Sequence, residues 1–204
     1  PSILNLRQWE MILEAMHRLG LTDSEEWTVE CNPATLSREK ARLLRAGGVT
    51  RISMGVQSMD PDLLERLGRV HSRAMVFKSY DILREAGFRH VNLDLMFAIP
   101  TQTMDVWEET LREVAAMDPD HLSCYEVIYE QDTPLYEQLK AKEFDVNEQL
   151  ACDMFEELVR FATENGFHQY EVANFAQHHA IGEFETPDEA CRHNVNYWRG
   201  GDYH

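Results

Sequence analysis

The sequence predicts an α/β fold: repeated strand–helix units arranged around a mainly parallel sheet. Three observations carry this. Apolar stripes of helical period alternate with short strand-like runs through most of the 204 residues, the order that builds βα units. The strand runs themselves alternate apolar and polar, so each offers one face to a covering layer and one face away from it. Glycines, prolines and capping residues punctuate the boundaries.

The first helix is "NLRQWEMILEAMHRLG", with Trp9, Ile12, Leu13, Met16 and Leu19 on one stripe and Gly20 as its stop. "EWTVEC" (26–31) is a short strand ending at Asn32-Pro33, and "SREKARLLRAGG" is a helix closed by Gly47-Gly48. "RISMGVQS" (51–58) is the next strand. Asp60-Pro61 caps a short helix through Leu67-Gly68. Ser72 opens "SRAMVFKSYDILREAG", which leads to the strand "VNLDLMF" (91–97). Then come the helix "TMDVWEETLREVAAM" and the strand "HLSCYEV" (121–127). A helix over 148–165 carries Ala151, Met154, Phe155, Leu158, Phe161 and Ala162 inward, and "YEVANF" (170–175) reads as a last strand.

Composition narrows the function classes. A hydrophobic share of 44% and a charged share of 27% are those of a globular protein with a substantial core. No apolar run approaches the roughly 18 residues of a membrane span, so peripheral membrane contact is the most to expect. No signal peptide opens the chain. A net charge of −17 argues against nucleic acid as a partner. Cys31, Cys124, Cys152 and Cys191 form no CxxC pair, so free thiols in a reducing cytoplasm are expected. Pro1-Ser2 leads directly into a helix and Asp202-Tyr203-His204 stops without a closing element, so the chain reads as a piece of a longer protein.

Strand parity carries the functional argument. Ile52, Met54 and Val56 oppose Ser53, Gly55 and Gln57; Trp27, Val29 and Cys31 oppose Thr28 and Glu30; Val91, Leu93, Leu95 and Phe97 oppose Asn92, Asp94 and Met96. Helices must cover the apolar set, which leaves a face carrying Glu30, Ser53, Gln57, Asn92, Asp94 and Tyr125. If that face lines a barrel lumen it needs a polar occupant, because unpartnered buried polar groups cost several kcal/mol, on the order of 2–7 each. If it is one side of an open sheet it is simply wet. The lumen is favoured, because functional side chains gather at the carboxyl ends of α/β strands, where Glu30 and Gln57 sit.

Glu30, Gln57, Arg69 and Asp94 make a binding set with both signs of charge. Arg69 can hold a carboxylate in a bidentate fork, and Asp94 can accept from a pair of ribose hydroxyls. Glu30 can accept from an ammonium group, and one amide of Gln57 both donates and accepts. The set suits a ligand with amino-acid and nucleoside parts. An arginine placed like Arg69 in "LGRVH" is more often a helix-end cation than a ligand clamp, whereas Asp94 between apolar neighbours demands partners.

"TVECNPATL", "GVTRISMGVQSMDPDLLERLGRVH", "AGFRHVNLDLMFAIPTQT", "HLSCYEV" and "YEVANFA" together resemble the radical S-adenosylmethionine (SAM) family of oxygen-independent coproporphyrinogen III oxidase and its relatives. The resemblance runs from the first helix to Trp198. It implies an incomplete (β/α)6 TIM-like barrel, here partial with its first strands missing, spanning residues 1–175. Residues 176–204 would begin a C-terminal extension. It places SAM contacts on Glu30, Gln57, Arg69, Asp94 and, just past the 121–127 strand, Ile128. It places the [4Fe–4S] cluster ligands, a CxxxCxxC loop, upstream of Pro1, together with most of a glycine-rich turn that ends at Pro1-Ser2. This chain alone is therefore expected to cleave no SAM.

Within the family, "CRHNVNYW" (191–198) resembles the HNxxYW motif of the haem chaperone subgroup, understood to deliver haem to respiratory proteins. The alternative subgroup decarboxylates coproporphyrinogen III. The chaperone reading makes haem or another porphyrin a ligand, with His193 as a candidate iron ligand and Cys191 as a second. Tyr197 and Trp198 would lie against the porphyrin edge. Equally, His193 and Asn194 satisfy backbone groups while Tyr197 and Trp198 pack on the barrel. A non-catalytic haem-binding module and an aldolase-like lyase are the readings from other classes; the lyase lacks a Schiff-base lysine at a strand end. "HHAIGEFETPDEA" (178–190) is longer than the family usually has, and its His178-His179 pair is a metal-capable feature of what otherwise reads as a solvated loop.

Overall fold

The computed structural model describes residues 1–180 and 182–202. Ile181 in the 178–190 loop and the terminal Tyr203-His204, on which the expectation of an unclosed end falls, lie outside the described residues. The element order is α1 (Leu6–Arg18), β1 (Thr28–Cys31), α2 (Arg38–Ala46), β2 (Arg51–Gln57), α3 (Pro61–Arg66), α4 (Arg73–Glu85), β3 (His90–Phe97) and α5 (Met104–Ala115). It continues with β4 (His121–Glu126), α6 (Pro134–Lys140), α7 (Glu148–Glu164), β5 (Phe167–Gln169), β6 (Asn174–Gln177) and α8 (Arg192–Trp198). No described helix is long and apolar enough to cross a membrane.

The strands form one six-stranded sheet in the order β1-β2-β3-β4-β6-β5. β1 to β4 pair in parallel, each joined to the next by a helical crossover, as the strand–helix alternation predicts. The apolar parity set is buried: Ile52, Met54, Val56, Val91, Leu93, Leu95 and Leu122 have no accessible surface. They share one core with Leu44 of α2, Val76 and Leu83 of α4, Trp107 and Leu111 of α5, and Met154 and Leu158 of α7. Each such side chain contributes about 1.5–3 kcal/mol by leaving water. The Trp107 indole also donates to the Met154 carbonyl at 2.9 Å, tying α5 to α7.

Capping follows the sequence signals closely. Asp60 accepts from the Asp62 and Leu63 amides ahead of Pro61, and Gly48 takes φ +100° past the end of α2, where a side chain would be strained. Ser72 sits at the N-cap of α4, but its side chain makes no capping bond.

Two expectations need correction, and one helix was not expected. The stripe of α1 is narrower than expected: Trp9 and Leu13 are buried, while Ile12 and Leu19 face solvent because only one edge of the helix meets α2. The strand expected at 170–175 is instead a hairpin: β5 and β6 pair antiparallel, and β6 lies antiparallel beside β4. Only four residues separate them, too few for the crossover a parallel pair requires. α6 was missed although Thr133-Pro134 is a helix-start signal; Thr133 accepts from the Tyr136 amide.

Candidate functional site

The polar parity face bounds a cleft of about 710 Å³, with Glu30, Ser53, Gln57, Asn92, Asp94 and Tyr125 all among its walls. The first turn of α8 forms part of the same cleft through Cys191, His193 and Asn194. A smaller pocket of about 270 Å³ adjoins it and shares Glu30, Ser53, Gln57 and Asp94, adding Arg69, Gly55, Pro1 and Ser2. The four residues of the binding set therefore meet in one place. They arrive from β1, the end of β2, the segment after α3, and β3.

Asp94 is the best-prepared of them. Ser53 Oγ lies 3.0 and 3.1 Å from its two carboxylate oxygens, and Asn92 Nδ2 donates to one of them at 2.6 Å. Burial pushes the Asp94 carboxyl above its ordinary range; the Ser53 and Asn92 hydrogen bonds pull it down, Glu30 raises it and Arg69 lowers it.

Gln57 ends β2 with φ +67°, left-handed backbone that a side-chain-bearing residue rarely adopts. The register of β2 against β3 shifts between Gly55 and Gln57. This bulge folds the Gln57 amide over Gly55, where a Cβ would meet Nε2 at 3.0 Å. His71 donates from Nε2 to the Val56 carbonyl at 2.9 Å, holding the strand just before the bend. Beside the pocket, Ser2 accepts from the Asn32 amide at 2.8 Å, and the buried Lys40 ammonium donates to the Ser2 carbonyl at 2.5 Å.

A continuous hydrogen-bonded chain leads from Asp94 to α8. Asn92 donates to Asp94 and accepts from His121 Nδ1 at 2.6 Å. An Asn oxygen can only accept, so that nitrogen carries the His121 proton, and His121 Nε2 accepts from the Tyr170 hydroxyl at 2.7 Å. The Tyr170 oxygen in turn accepts the Cys191 amide at 3.2 Å and Asn194 Nδ2 at 3.5 Å. Burial holds His121 neutral, well below its ordinary pKa, with Arg51 adding to the effect. Burial raises Tyr170 far above the usual phenol range.

Sequence reasoning missed Arg51, His121 and Tyr170. The first two share strand parity with Ser53 and Ser123, so parity alone would have found them; Tyr170 lies in the β5–β6 turn, where no parity applies. Arg51 is buried at the base of the cleft, donates to the Glu189 carbonyl at 3.2 Å and keeps Nη2 without a partner.

The residues of the 191–198 motif separate. Cys191 and His193 face the cleft, whereas Tyr197 and Trp198 are exposed farther along α8 and pack edge to face with centroids 5.7 Å apart. Burial, then the Glu26 carboxylate, keeps the Cys191 thiol protonated, with Sγ 3.3 Å from Glu26 Oε1. Ile128 borders the cleft and is largely exposed.

The donor set around Asp94 suits a ligand with ribose, ammonium and carboxylate groups. The cysteines do not suit an iron–sulfur cluster. Cys31 on β1 and Cys124 on β4 are buried, and burial pushes the Cys31 thiol up to about 12 and the Cys124 thiol higher still. Cys152 lies on α7 and Cys191 before α8, so no three thiolates converge.

Known proteins resemble the chain along its whole length. The chain is 34% identical over 206 residues to heme chaperone HemW of Bacillus subtilis, covering 100% of the chain and 52% of that protein. It is 33% identical to HemW of Escherichia coli, covering 51% of it, and 33% identical to the mitochondrial radical S-adenosyl methionine domain-containing protein 1 of Danio rerio, covering 44% of it. The chain thus spans about half the length of the curated relatives it matches. Among solved structures, the coproporphyrinogen III oxidase HemN from Escherichia coli superimposes with a TM-score of 0.75 at 27% identity, over 87% of this chain and 41% of that one. The archaeal Methanocaldococcus infernus Elp3 superimposes with a TM-score of 0.55 at 26% identity, over 60% of this chain and 29% of that one. Residues 4–114 match the family model of the Radical SAM superfamily, and the chain belongs to that superfamily.

Proposed function

We propose that this chain is the SAM-binding part of a haem chaperone-like protein of the superfamily. Glu30, Gln57, Arg69 and Asp94 hold SAM, and Ile128 borders it. The single observation that carries the reading is the convergence of those four side chains on one pocket, with the Asp94 carboxylate already oriented by Ser53 and Asn92. Bound together, SAM and a [4Fe–4S] cluster supply one-electron cleavage of the sulfonium; this chain contributes orientation and exclusion of water. The cluster ligands belong to residues outside positions 1–204.

Haem is the second ligand, met by His193 at the mouth of the cleft. The Cys191 thiol, protonated against Glu26, is the weaker candidate. Tyr197 and Trp198 would cover an exposed porphyrin edge, in the segment that follows β6. Delivery to haem-accepting respiratory proteins in the cytoplasm or at the membrane surface completes this reading. The likeness to coproporphyrinogen III oxidase HemN favours oxidative decarboxylation of a porphyrinogen as the alternative.

Two titrations test the proposal. Calorimetry with SAM on wild type and Asp94→Asn should show weaker binding in the variant; equal affinity would remove Asp94 from the site. Haem titration followed by Soret absorbance on wild type and His193→Ala should show a changed spectrum in the variant. Identical spectra would remove His193 as a ligand, and conversion of coproporphyrinogen III by the complete protein would favour the alternative.

A further inference from the structure

We propose that Asp120, His179 and Glu189 form a binding site for a divalent transition-metal cation of the zinc type. The site lies at the amino-terminal ends of β3 and β4, the opposite end of the strands from Gln57 and Arg69. One ligand atom from each of the three residues lies within 4.8 Å of the others. An imidazole nitrogen with two carboxylate oxygens is a donor set for borderline cations such as Zn2+ or Co2+, whereas Ca2+ and Mg2+ prefer oxygen throughout. The ligands come from three separate places in the chain: just before β4, just after β6, and three residues before α8.

The donors are held in place while keeping free ligand atoms. Asp120 spends Oδ2 on the Val91 amide at 3.0 Å and the Arg84 guanidinium at 2.9 Å, which fixes the carboxylate and leaves Oδ1. Glu189 spends Oε2 on His90 Nδ1 at 2.6 Å, the kind of outer hydrogen bond that steadies metal-ligating carboxylates, and leaves Oε1. Its backbone is held at both ends, the amide donating to Gln177 and the carbonyl accepting from Arg51. The His179 backbone amide is fixed by the Asp188 carboxylate at 3.0 and 3.2 Å, while its exposed ring makes no hydrogen bond among the described residues. Arg84 offsets one of the two carboxylate charges, so the imidazole bond is needed for affinity and the site selects nitrogen-seeking cations.

The neighbouring His178 does not belong to the site. Its ring packs on Phe184 with centroids 3.9 Å apart and faces Asp188. A cation bound by the three residues would tie the 178–190 loop to the strand ends and set where α8 begins, since Cys191 is the N-cap of that helix. None of the three residues is among those assigned to SAM or haem.

Calorimetric titration of the chelator-treated protein with Zn2+ tests it. Wild type should bind one ion at this site. His90→Ala, which removes only the outer partner of Glu189, should weaken binding roughly ten- to a hundredfold, and His179→Ala by at least as much. His178→Ala should leave it unchanged. With Co2+ the site should give weak d–d bands that disappear in His179→Ala and Glu189→Gln, without thiolate charge transfer. His179 is exposed, so its replacement leaves the fold intact, which the thermal unfolding of the metal-free variant checks. Equal affinity in wild type and His179→Ala, no ion bound by wild type, or a thiolate band in place of the d–d bands would each overturn the proposal.

Discussion

His121 and Tyr170 share a 2.7 Å hydrogen bond that joins the β3–β4 rungs of the sheet to the first turn of α8. The phenol ties the start of α8 to the sheet, beside the Glu26 carboxylate, which accepts the Arg192 amide at 3.1 Å. Tyr170→Phe removes the donor to His121 Nε2 and the acceptor of the Cys191 amide together. It should destabilise the protein by about 1–3 kcal/mol, because His121 is buried and Cys191 half-buried. Chemical denaturation measures the loss, and amide exchange should quicken at residues 191–195 well before it does in β3. Unchanged exchange there would mean that α8 is held by other contacts.

The same pair makes stability sensitive to acid. Burial keeps the folded-state pKa of His121 well below its ordinary 6.5. The stability it contributes is therefore present above pH 6.5 and lost as pH falls below that value, where the unfolded chain takes up the proton first. His71, also lowered by burial, acts in the same direction. His90, raised mainly by its hydrogen bond to Glu189, acts oppositely: its contribution is present below 6.5 and lost as pH rises through its folded value. His90 is half-exposed, so its share is the smaller. The denaturation midpoint should fall as the buffer is taken from neutral to mildly acidic, and the His121 ring should show no titration through 6.5 by NMR.

Asp94 carries a cost in the ligand-free protein. Its carboxyl is raised by burial, so above the ordinary carboxylate range the folded state holds an ion that the unfolded state would solvate better. Asp94→Asn should stabilise the ligand-free protein at neutral pH, with the gain vanishing in acid. SAM affinity should drop by about 1.5–3 kcal/mol through the lost charged hydrogen bonds. Parallel measurement of unfolding and SAM calorimetry separates the two effects, and a variant both less stable and unaltered in binding would refute the assignment.

Gln57 makes a similar trade in the backbone. Gln57→Gly relieves a left-handed conformation at φ +67° and should gain roughly 1 kcal/mol of stability while losing the amide that faces the pocket. Gly55→Ala does the reverse, crowding Gln57 Nε2 at 3.0 Å and displacing it without touching any charged group. Both variants should weaken SAM binding, and only the first should raise the melting temperature.

Much of this was legible because β1 to β3 are covered on one face only, so parity separates apolar residues such as Val29, Ile52 and Leu93 from Glu30, Ser53 and Asp94. Helix boundaries were equally open to reading where Asp60-Pro61 or Gly48 supplied a terminus. Legibility failed where local rules stop applying. The direction of β6 is set by the four residues that link it to β5, and a run such as "YEVANF" carries no sign of which neighbour it will meet. Tyr170 reaches His121 only through that turn. The metal-capable trio was hidden for the same reason: His179 was visible as half of a pair, but Asp120 and Glu189 become its neighbours only when the sheet and the 178–190 loop are folded together.

The polar rungs have a consequence for folding itself. Ser53 pairs with Asn92, Asn92 with His121, Asp94 with Ser123, and Ser123 with Asn174, so β2, β3, β4 and β6 each contribute to one ladder. Sliding any of these strands by a single residue would turn its share of the ladder into the helix-covered core and leave its partners unmatched. Parallel strands rich in Val, Ile and Leu have little else to distinguish one alignment from the next. The row of side chains that receives a ligand thus also serves as a key cut for one alignment, and a chain that misaligns a strand loses its site and its fold in the same step.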